Sequence, residues 1–473
     1  MVEEFNVFFD IFNQVSKIEL VIQDAVGLLE KMPIIGDEQV LISFKSTQLE
    51  VANHIFFETE VNMLFQIYKI SDRKQTANRA STYKLHGISQ EGINNMRYAV
   101  YRSYIDMKAE DMVASIFEEF MVPSDSEFDV YGKNQDIDSD DADGKYALVF
   151  TGEKPLDAIN IVAKEAKRYS GGSKASNYVF FQTKDRWVFK TLDGLISENR
   201  DLRDAGGEGY VQDLYYLDPR IETEDTKTIF GKNIRADQKI LSLHINRQLD
   251  NSDNLEKGLF NHTTQTIDTL TKRFTNDGFI YDENKEDIAH LENLKSPTRP
   301  HVHAPESIYA AEGTATRLEE FRVKNFLISH IGPEYYDPEI FTEAMKDADP
   351  QLKNPRKLHE FYKFDYASRV KLNNIVVAVS VPGNTDLDIG QLINLNIVGN
   401  NLQSPDTQEK TALNRLLGSE KYGGYFIITT LRHAYSKNGE QFVTHFQCVK
   451  DVYTSTLSGY SADNTAVQQD IST

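Results

Sequence analysis

One cysteine and one tryptophan are all that 473 residues hold of those two types. The lone thiol, Cys448, excludes an internal disulfide framework and a cysteine-based zinc cluster. In an alternating strand it reads as a packed core thiol. Positive charge is scarce too: 51 Lys and Arg stand against 72 Asp and Glu, a formal charge of −21. Such a surface argues against ordinary binding to a phosphate backbone. It suits solubility, and it suits the lining of a passage that must not hold DNA. No apolar run approaches the ~18 residues that span a bilayer, so no membrane contact is expected. Met1-Val-Glu-Glu-Phe5 has no basic segment, so no signal peptide is expected and the chain is placed in a reducing cytoplasm.

Catalytic signatures are missing as well. There is no Gly-x-Ser-x-Gly elbow and no His-Glu-x-x-His. Gly206-Gly-Glu-Gly209 lacks the Lys-Ser/Thr of a phosphate loop and reads as a flexible turn. Asp136 to Gly144 resembles a calcium loop, but Asp141 stands where the glycine belongs and Ala147 where the glutamate belongs, which leaves a solvated acidic loop. His301-Val-His303 sets two imidazoles on one face of an extended segment, yet Pro300 and Pro305 make it a loop and spacing fixes no third ligand. His290 and His330 are candidates only by residue type. With so many acids some pair by chance, so no glycosidase dyad is assigned. We expect no enzyme, no catalytic, cofactor-binding or metal residues, and no cofactor.

What the chain does have is a pattern written twice. Gly36 opens Val40, Ile42 and Phe44; after a polar stretch come Leu64–Ile70, then Tyr83–Ser89. Gly390 opens Leu392 to Ile397; after a polar stretch come Gly424–Thr430, then Phe442–Cys448. Each copy is a glycine, a strand, a long loop and two more strands joined by a hydrophilic turn. With 27 Phe and 23 Tyr the composition also leans toward sheet.

The length calls for two to four domains. Alternation of Ile18, Leu20 and Ile22 adds a strand before the first copy, and Met112, Val113, Ile116, Phe117, Phe120 and Met121 recur at helical spacing over 108–122 until Pro123. We place a first β-barrel with its exit helix at 1–123. A small α/β unit follows at 124–200: an acidic boundary, a helix from Pro155 to about 170, and a hairpin of Tyr178–Phe181 and Trp187–Phe189 around Lys184-Asp185, extended by Leu192–Ile196. The start of a second barrel is placed at 201–275, with strands at Ile240–Ile245, Asn254–Phe260 and Asp268–Lys272. An insert of short helices and loops occupies 276–370, with Tyr309–Leu327 and Pro338–Met345 as helices cut short by prolines. Completion of the second barrel is placed at 371–452, starting from Ile375–Val381 and the turn Pro382-Gly-Asn384, and a polar tail at 453–473. The fold class is α+β, mainly β: two related small antiparallel barrels, a small α/β domain and an inserted mixed domain.

The order of these segments resembles the baseplate hub proteins of T-even-like contractile-tailed phages, a group related to late-control and spike-base proteins of contractile injection systems. Lys17–Asp24 with Gly36–Phe44 is similar to that family's first barrel entry, and Tyr83–Ser89, Arg102-Ser-Tyr104 and the 108–122 helix to its exit. Leu156–Tyr169, Tyr178–Phe181 and Trp187–Ile196 are similar to its helix-then-hairpin unit. Ile389-Gly390, Gly424–Ile428, Leu431-Arg-His433 and Thr444–Asp451 are similar to its closing strands. The resemblance implies a homotrimer in which six barrels make a quasi-sixfold ring joining the sixfold tail tube to the threefold central spike. Implied partners are other copies of the chain, the central spike protein, a tail tube or tube-initiator protein, and baseplate wedge proteins. DNA is met only in passage, and the setting is the virion tail baseplate after assembly in the host cytoplasm. The acidic 124–145 loop and the long proline-rich insert depart from the family pattern, and no spike needle or muramidase segment is expected. A glycan-binding or peptidoglycan-degrading tail component is the alternative; it calls for convergent carboxylates or an aromatic platform in a cleft. A metalloprotein using His301 and His303 is a third.

Overall fold

The computed structural model describes residues 1–451 apart from 33, 47–59, 78–79, 123–136, 170–172, 205–210, 218–237, 249–250, 260, 269–273, 292–323, 330–357, 399–422 and 440. The expected sites at Gly206–Gly209, His301, His303 and His330, the Pro338–Met345 helix and the polar tail lie outside the described residues.

The chain opens with β1 (Val2–Asp10), β2 (Lys17–Asp24), the short α1 (Leu28–Lys31), β3 (Gln39–Lys45), β4 (Glu60–Ala77) and β5 (Ala80–Ser89). Side chains alternate in and out along each strand. Val7, Phe9, Ile18, Leu20 and Leu85 are buried, while Asn6, Phe8, Lys17, Glu19 and Lys84 take the opposite face. The strands follow the order β1-β2-β5-β4-β3.

Next come α2 (Gln90–Arg97), β6 (Val100–Met107), α3 (Ala109–Phe120), β7 (Ile137–Ser139), β8 (Tyr146–Glu153), α4 (Pro155–Glu165), β9 (Tyr178–Gln182), β10 (Trp187–Thr191) and α5 (Leu192–Asp204). The helical stripe of α3 packs with α4, and Phe117 lies 5.0 Å from the Trp187 ring. β9 and β10 form the expected antiparallel hairpin. Leu192–Ile196 does not extend it. These residues begin α5, whose first turn is fastened where Thr191 Oγ1 accepts the Gly194 N–H at 2.9 Å. Leu192, Leu195 and Ile196 share the buried face a helix provides at that spacing.

β11 (Gln212–Leu217), β12 (Ser242–Gln248), α6 (Asn251–Glu256), β13 (Asn261–Asp268), β14 (Phe274–Ile280), α7 (Tyr281–Asn284), β15 (Lys324–Ser329) and α8 (Leu358–Leu372) follow. Asn254 lies in a helix rather than in a strand, and the neighbouring strand is Asn261–Asp268. The 276–370 stretch contains β14, β15 and a long α8 among its described residues, so it is not built of short helices and loops alone, and Lys324–Leu327 is strand where helix was expected. Finally β16 (Ile375–Pro382), β17 (Leu392–Val398), β18 (Gly424–Ser436) and β19 (Gln441–Lys450) repeat the opening arrangement.

The repeat is fuller than three strands. The second set runs β12-β16-β19-β18, with β17 beside β18, so β1 matches β12, β2 matches β16, β3 matches β17, β4 matches β18 and β5 matches β19. Each unit carries a β-bulge at the same place: the register shifts between Ile67 and Lys69 in β4 and between Ile428 and Thr430 in β18. The two repeated glycines, Gly36 and Gly390, both have positive φ, +106° and +78°, a region that side chains avoid. The fold is mainly β with antiparallel pairing dominant, as expected. Among the described strands the two units are joined into one 11-stranded sheet over one continuous core.

Buried polar groups tie α5 and α8 to this core. Asp193 Oδ1 accepts from Ser368 Oγ at 2.5 Å and its Oδ2 from the Ala289 N–H at 2.9 Å. Lys371 donates to the Ala289 carbonyl and sits 3.8 Å from Asp451, which also meets His290 Nδ1 at 2.8 Å. Burial on its own would raise the Asp451 pKa; His290, Lys371 and Lys450 hold it down to about 2. Cys448 is fully buried, and that burial pushes its thiol pKa up.

Candidate assembly interface

β1 is the strand that makes one sheet out of two units. Along one edge it pairs with β2, Val7 opposite Ile18. Along the other it pairs antiparallel with β18, from Glu4 opposite Ser436 to Asp10 opposite Thr430. The sequence reading missed it, although Phe5, Val7, Phe9 and Ile11 alternate with Glu4, Asn6, Phe8 and Asp10.

The two faces of this junction differ in chemistry. On the core side Phe5 stacks on Tyr435 at 5.5 Å, and Phe44 of β3 folds back to meet Phe5 at 5.3 Å and Phe442 at 5.7 Å. His433 is enclosed by Phe9, Phe44 and Phe442 and touches Thr444 Oγ1 at 3.1 Å. On the other side the Arg432 guanidinium donates twice to Asn6 Oδ1, at 3.0 and 2.7 Å, and lies 5.5 Å over the Phe8 ring. Glu19 meets Lys84 at 3.5 Å and His86 at 3.4 Å on the same face. The charges there include Glu4, Asp10, Glu19 and Glu60 beside Lys17, Lys45, Lys69, Lys74, Lys84 and Arg432. The acidic lining expected from the net charge is not on this face.

Burial, helped by the charge of Lys184, pushes the His433 pKa down to about 3, against 6.5 for an ordinary histidine. A histidine kept neutral when folded adds stability above pH 6.5 and loses it as pH falls toward 3. Relative to a His433→Phe variant, the wild type will lose roughly 3 kcal/mol between pH 7 and pH 4.5. Urea denaturation of both proteins across that range measures it; a difference that does not vary with pH refutes the assignment.

Two stretches of backbone repeat the junction's geometry without a strand opposite them. β3 pairs only with Glu60–Gln66 of β4, and among the described residues no strand lies beside Lys69–Gln75 on that edge. β12 pairs with β16 and, among the described residues, with no other strand.

Among the described residues no group of three or more His, Cys, Asp or Glu is placed to hold a metal. His290, singled out only as a histidine, is the partner of Asp451. The acidic loop contributes structure at its described end, where Asp140 Oδ2 accepts from Thr191. A cleft of about 350 Å³ between β9, α4 and α8 is lined by Gln14, Asn160, Lys164, Asn177 and Arg369 beside Phe12 and Tyr178, with no carboxylate. No helix among the described residues is long and apolar enough to cross a membrane.

No family model and no curated protein matches the sequence. Among solved structures, the chain is similar to a tail protein from Neisseria meningitidis MC58 at 10% identity, covering 96% of this chain and 94% of that one, with a TM-score of 0.46. It is similar to the 43 kDa tail protein of prophage MuSo2 from Shewanella oneidensis at 7% identity, covering 96% of each chain, with a TM-score of 0.44. It is also similar to the E. coli c3393 protein, described as a component of the type VI secretion system with structural similarity to the T4 bacteriophage tail proteins gp27 and gp5. There the identity is 8%, the coverage 95% of this chain and 73% of that one, and the TM-score 0.40.

Proposed function

We propose that the chain is a non-enzymatic structural hub of a contractile phage tail baseplate. Three copies form a pseudo-hexameric ring that adapts the sixfold tail tube to the threefold central spike and leaves a channel for DNA. The observation that carries this reading is the five-strand unit present twice in one chain and joined to itself edge to edge through β1 and β18. A unit that can bond to its own copy turns three subunits into six similar positions. The order of sequence segments shared with baseplate hubs supports the same reading.

The partners are two more copies of the chain, the central spike protein, a tail tube or tube-initiator protein, and wedge proteins, in a virion baseplate assembled in the host cytoplasm. Obligate contacts of this kind bury ~2,000 Å² or more. If the polar face of the sheet lines the channel, DNA slides past a surface of nearly balanced charge.

The test is the mass of the purified chain in solution, alone and with its spike protein. Three copies are expected, seen as six-lobed rings by electron microscopy. A monomer under both conditions overturns the reading. So does clearing of a cell-wall suspension above buffer, which would favour a peptidoglycan-degrading component.

A further inference from the structure

The cleft between β9, α4 and α8 has the make-up of a small-molecule site. It lies where four parts of the chain converge: the β1–β2 connection, the α/β unit, α8 and the second unit. Its volume of about 350 Å³ falls in the range of such sites. The floor is apolar and shared among these parts: Val179 and Phe180 of β9, Leu372 of α8, Ile427 of β18 and Val449 of β19. Phe180, Leu372, Ile427 and Val449 are each at most 7% exposed.

At the rim the charge balance of the chain inverts. A protein of net charge −21 lines this cleft with Lys164 and Arg369 and with no carboxylate. Arg369 Nε donates to Asn177 Oδ1 at 2.5 Å, and Asn177, 1% exposed, is fixed in turn by donating to the Asp365 carbonyl at 2.9 Å. A buried amide thus aims the guanidinium where an acid usually would. Asp365 itself is buried and accepts the Ser176 N–H; burial raises its pKa to about 7, so at neutral pH it cancels only part of the Arg369 charge. Lys164 is exposed, and among the described residues no ion pair holds it. The remaining polar groups of the lining are neutral: Gln14 donates to Asn160 Oδ1 at 2.7 Å, and Phe12 stands 66% exposed close by.

We infer that this cleft binds a small amphipathic carboxylate, an aliphatic or aromatic acid whose head pairs with Arg369 and Lys164 and whose body lies on the Ile427 and Val449 floor. A guanidinium matches a carboxylate with two parallel hydrogen bonds. A phosphate head fits less well. Both cations stand in the last turn of their helices, α4 ending at Glu165 and α8 at Leu372, and the carbonyl ends of two helices disfavour a second negative charge. Phe12 offers the body an exposed aromatic wall. Because the lining comes from four parts of the chain, the ligand fastens them to one another and stabilises the fold as its concentration rises. Binding needs one copy only, so it is expected whether or not the ring forms.

Calorimetric titration of the full-length protein with octanoate tests this, with octyl phosphate and octanol as comparisons. Octanoate is expected to fill one site per chain, about tenfold more tightly than either comparison. Lys164→Gln should weaken octanoate about tenfold, and Lys164→Gln/Arg369→Gln about a hundredfold. Octanol binding should not change in either variant, which shows that the floor is intact. Circular dichroism checks the fold, and Lys164 is exposed, so its replacement leaves the packing alone. No octanoate binding overturns the site. So does octanol bound as tightly as octanoate, or an octanoate affinity unmoved by the double variant. Octyl phosphate bound more tightly than octanoate overturns the carboxylate assignment.

Discussion

Phe9→Ala will cost roughly 4 kcal/mol of stability, whereas Phe8→Ala, one residue away on the same strand, will cost about 1 kcal/mol or less. Phe9 is 2% exposed and faces the core against His433, so its removal leaves a cavity in close-packed surroundings. Phe8 is half-buried on the polar face and loses only its contact with Arg432. Urea unfolding gives both values. Hydrogen exchange adds what the free energies do not, because Phe9 sits in the strand shared by two units. In Phe9→Ala the amides of β5 and of β19 should lose protection together. Faster exchange in β5 with β19 unchanged would mean two independent barrels and would refute the single-sheet description.

Asp451→Ala will cost roughly 3–5 kcal/mol, because it strands Lys371 without its carboxylate in a site that excludes water. Both side chains are at most 1% exposed. Burial already lowers the Lys371 pKa, so the variant will shed part of the penalty by releasing a proton. The double variant Lys371→Met/Asp451→Leu will recover most of the loss, since a buried ion pair and an apolar pair of similar volume differ little in net stability. A double-mutant cycle by denaturation measures the coupling, and additive losses would refute it. The pH dependence has a definite sign. A carboxylate held at about 2 when folded contributes stability above its unfolded value of 3.8, and that contribution is lost as pH falls from there toward 2. Asp451→Ala should lack that acid limb.

The doubled pattern was legible because glycine, alternation and polar breaks are local signals. Gly36 and Gly390 mark positive φ, and the strand after Gly36 alternates cleanly, while Leu392 and Ile393 after Gly390 are both buried. Strand β1 is legible too, since Phe5, Val7, Phe9 and Ile11 have period two. β13 was not legible. Its residues Asn261–Asp268 are mostly polar, yet Thr263 and Thr264 are wholly buried, so no hydrophobic period reveals the strand. Leu192–Ile196 fits a strand continuation or a helix start, and five residues do not decide between them. The junction itself leaves no sequence trace. Pairing between Asn6 and Ala434 is made by backbone edges, and any alternating strand offers the same edge.

Arg432 and Asn6 are 426 positions apart in the chain, and that separation sets a timetable. At a synthesis rate of about 5–20 residues per second, the first strand waits roughly 20–90 s for β18 to be made. Through that interval β1 has β2 on one edge and nothing of its own chain on the other. Nascent copies on neighbouring ribosomes present the same unfinished edge. A chaperone that shields the first ~120 residues during translation would therefore raise the yield of correctly joined sheets more than one acting after release.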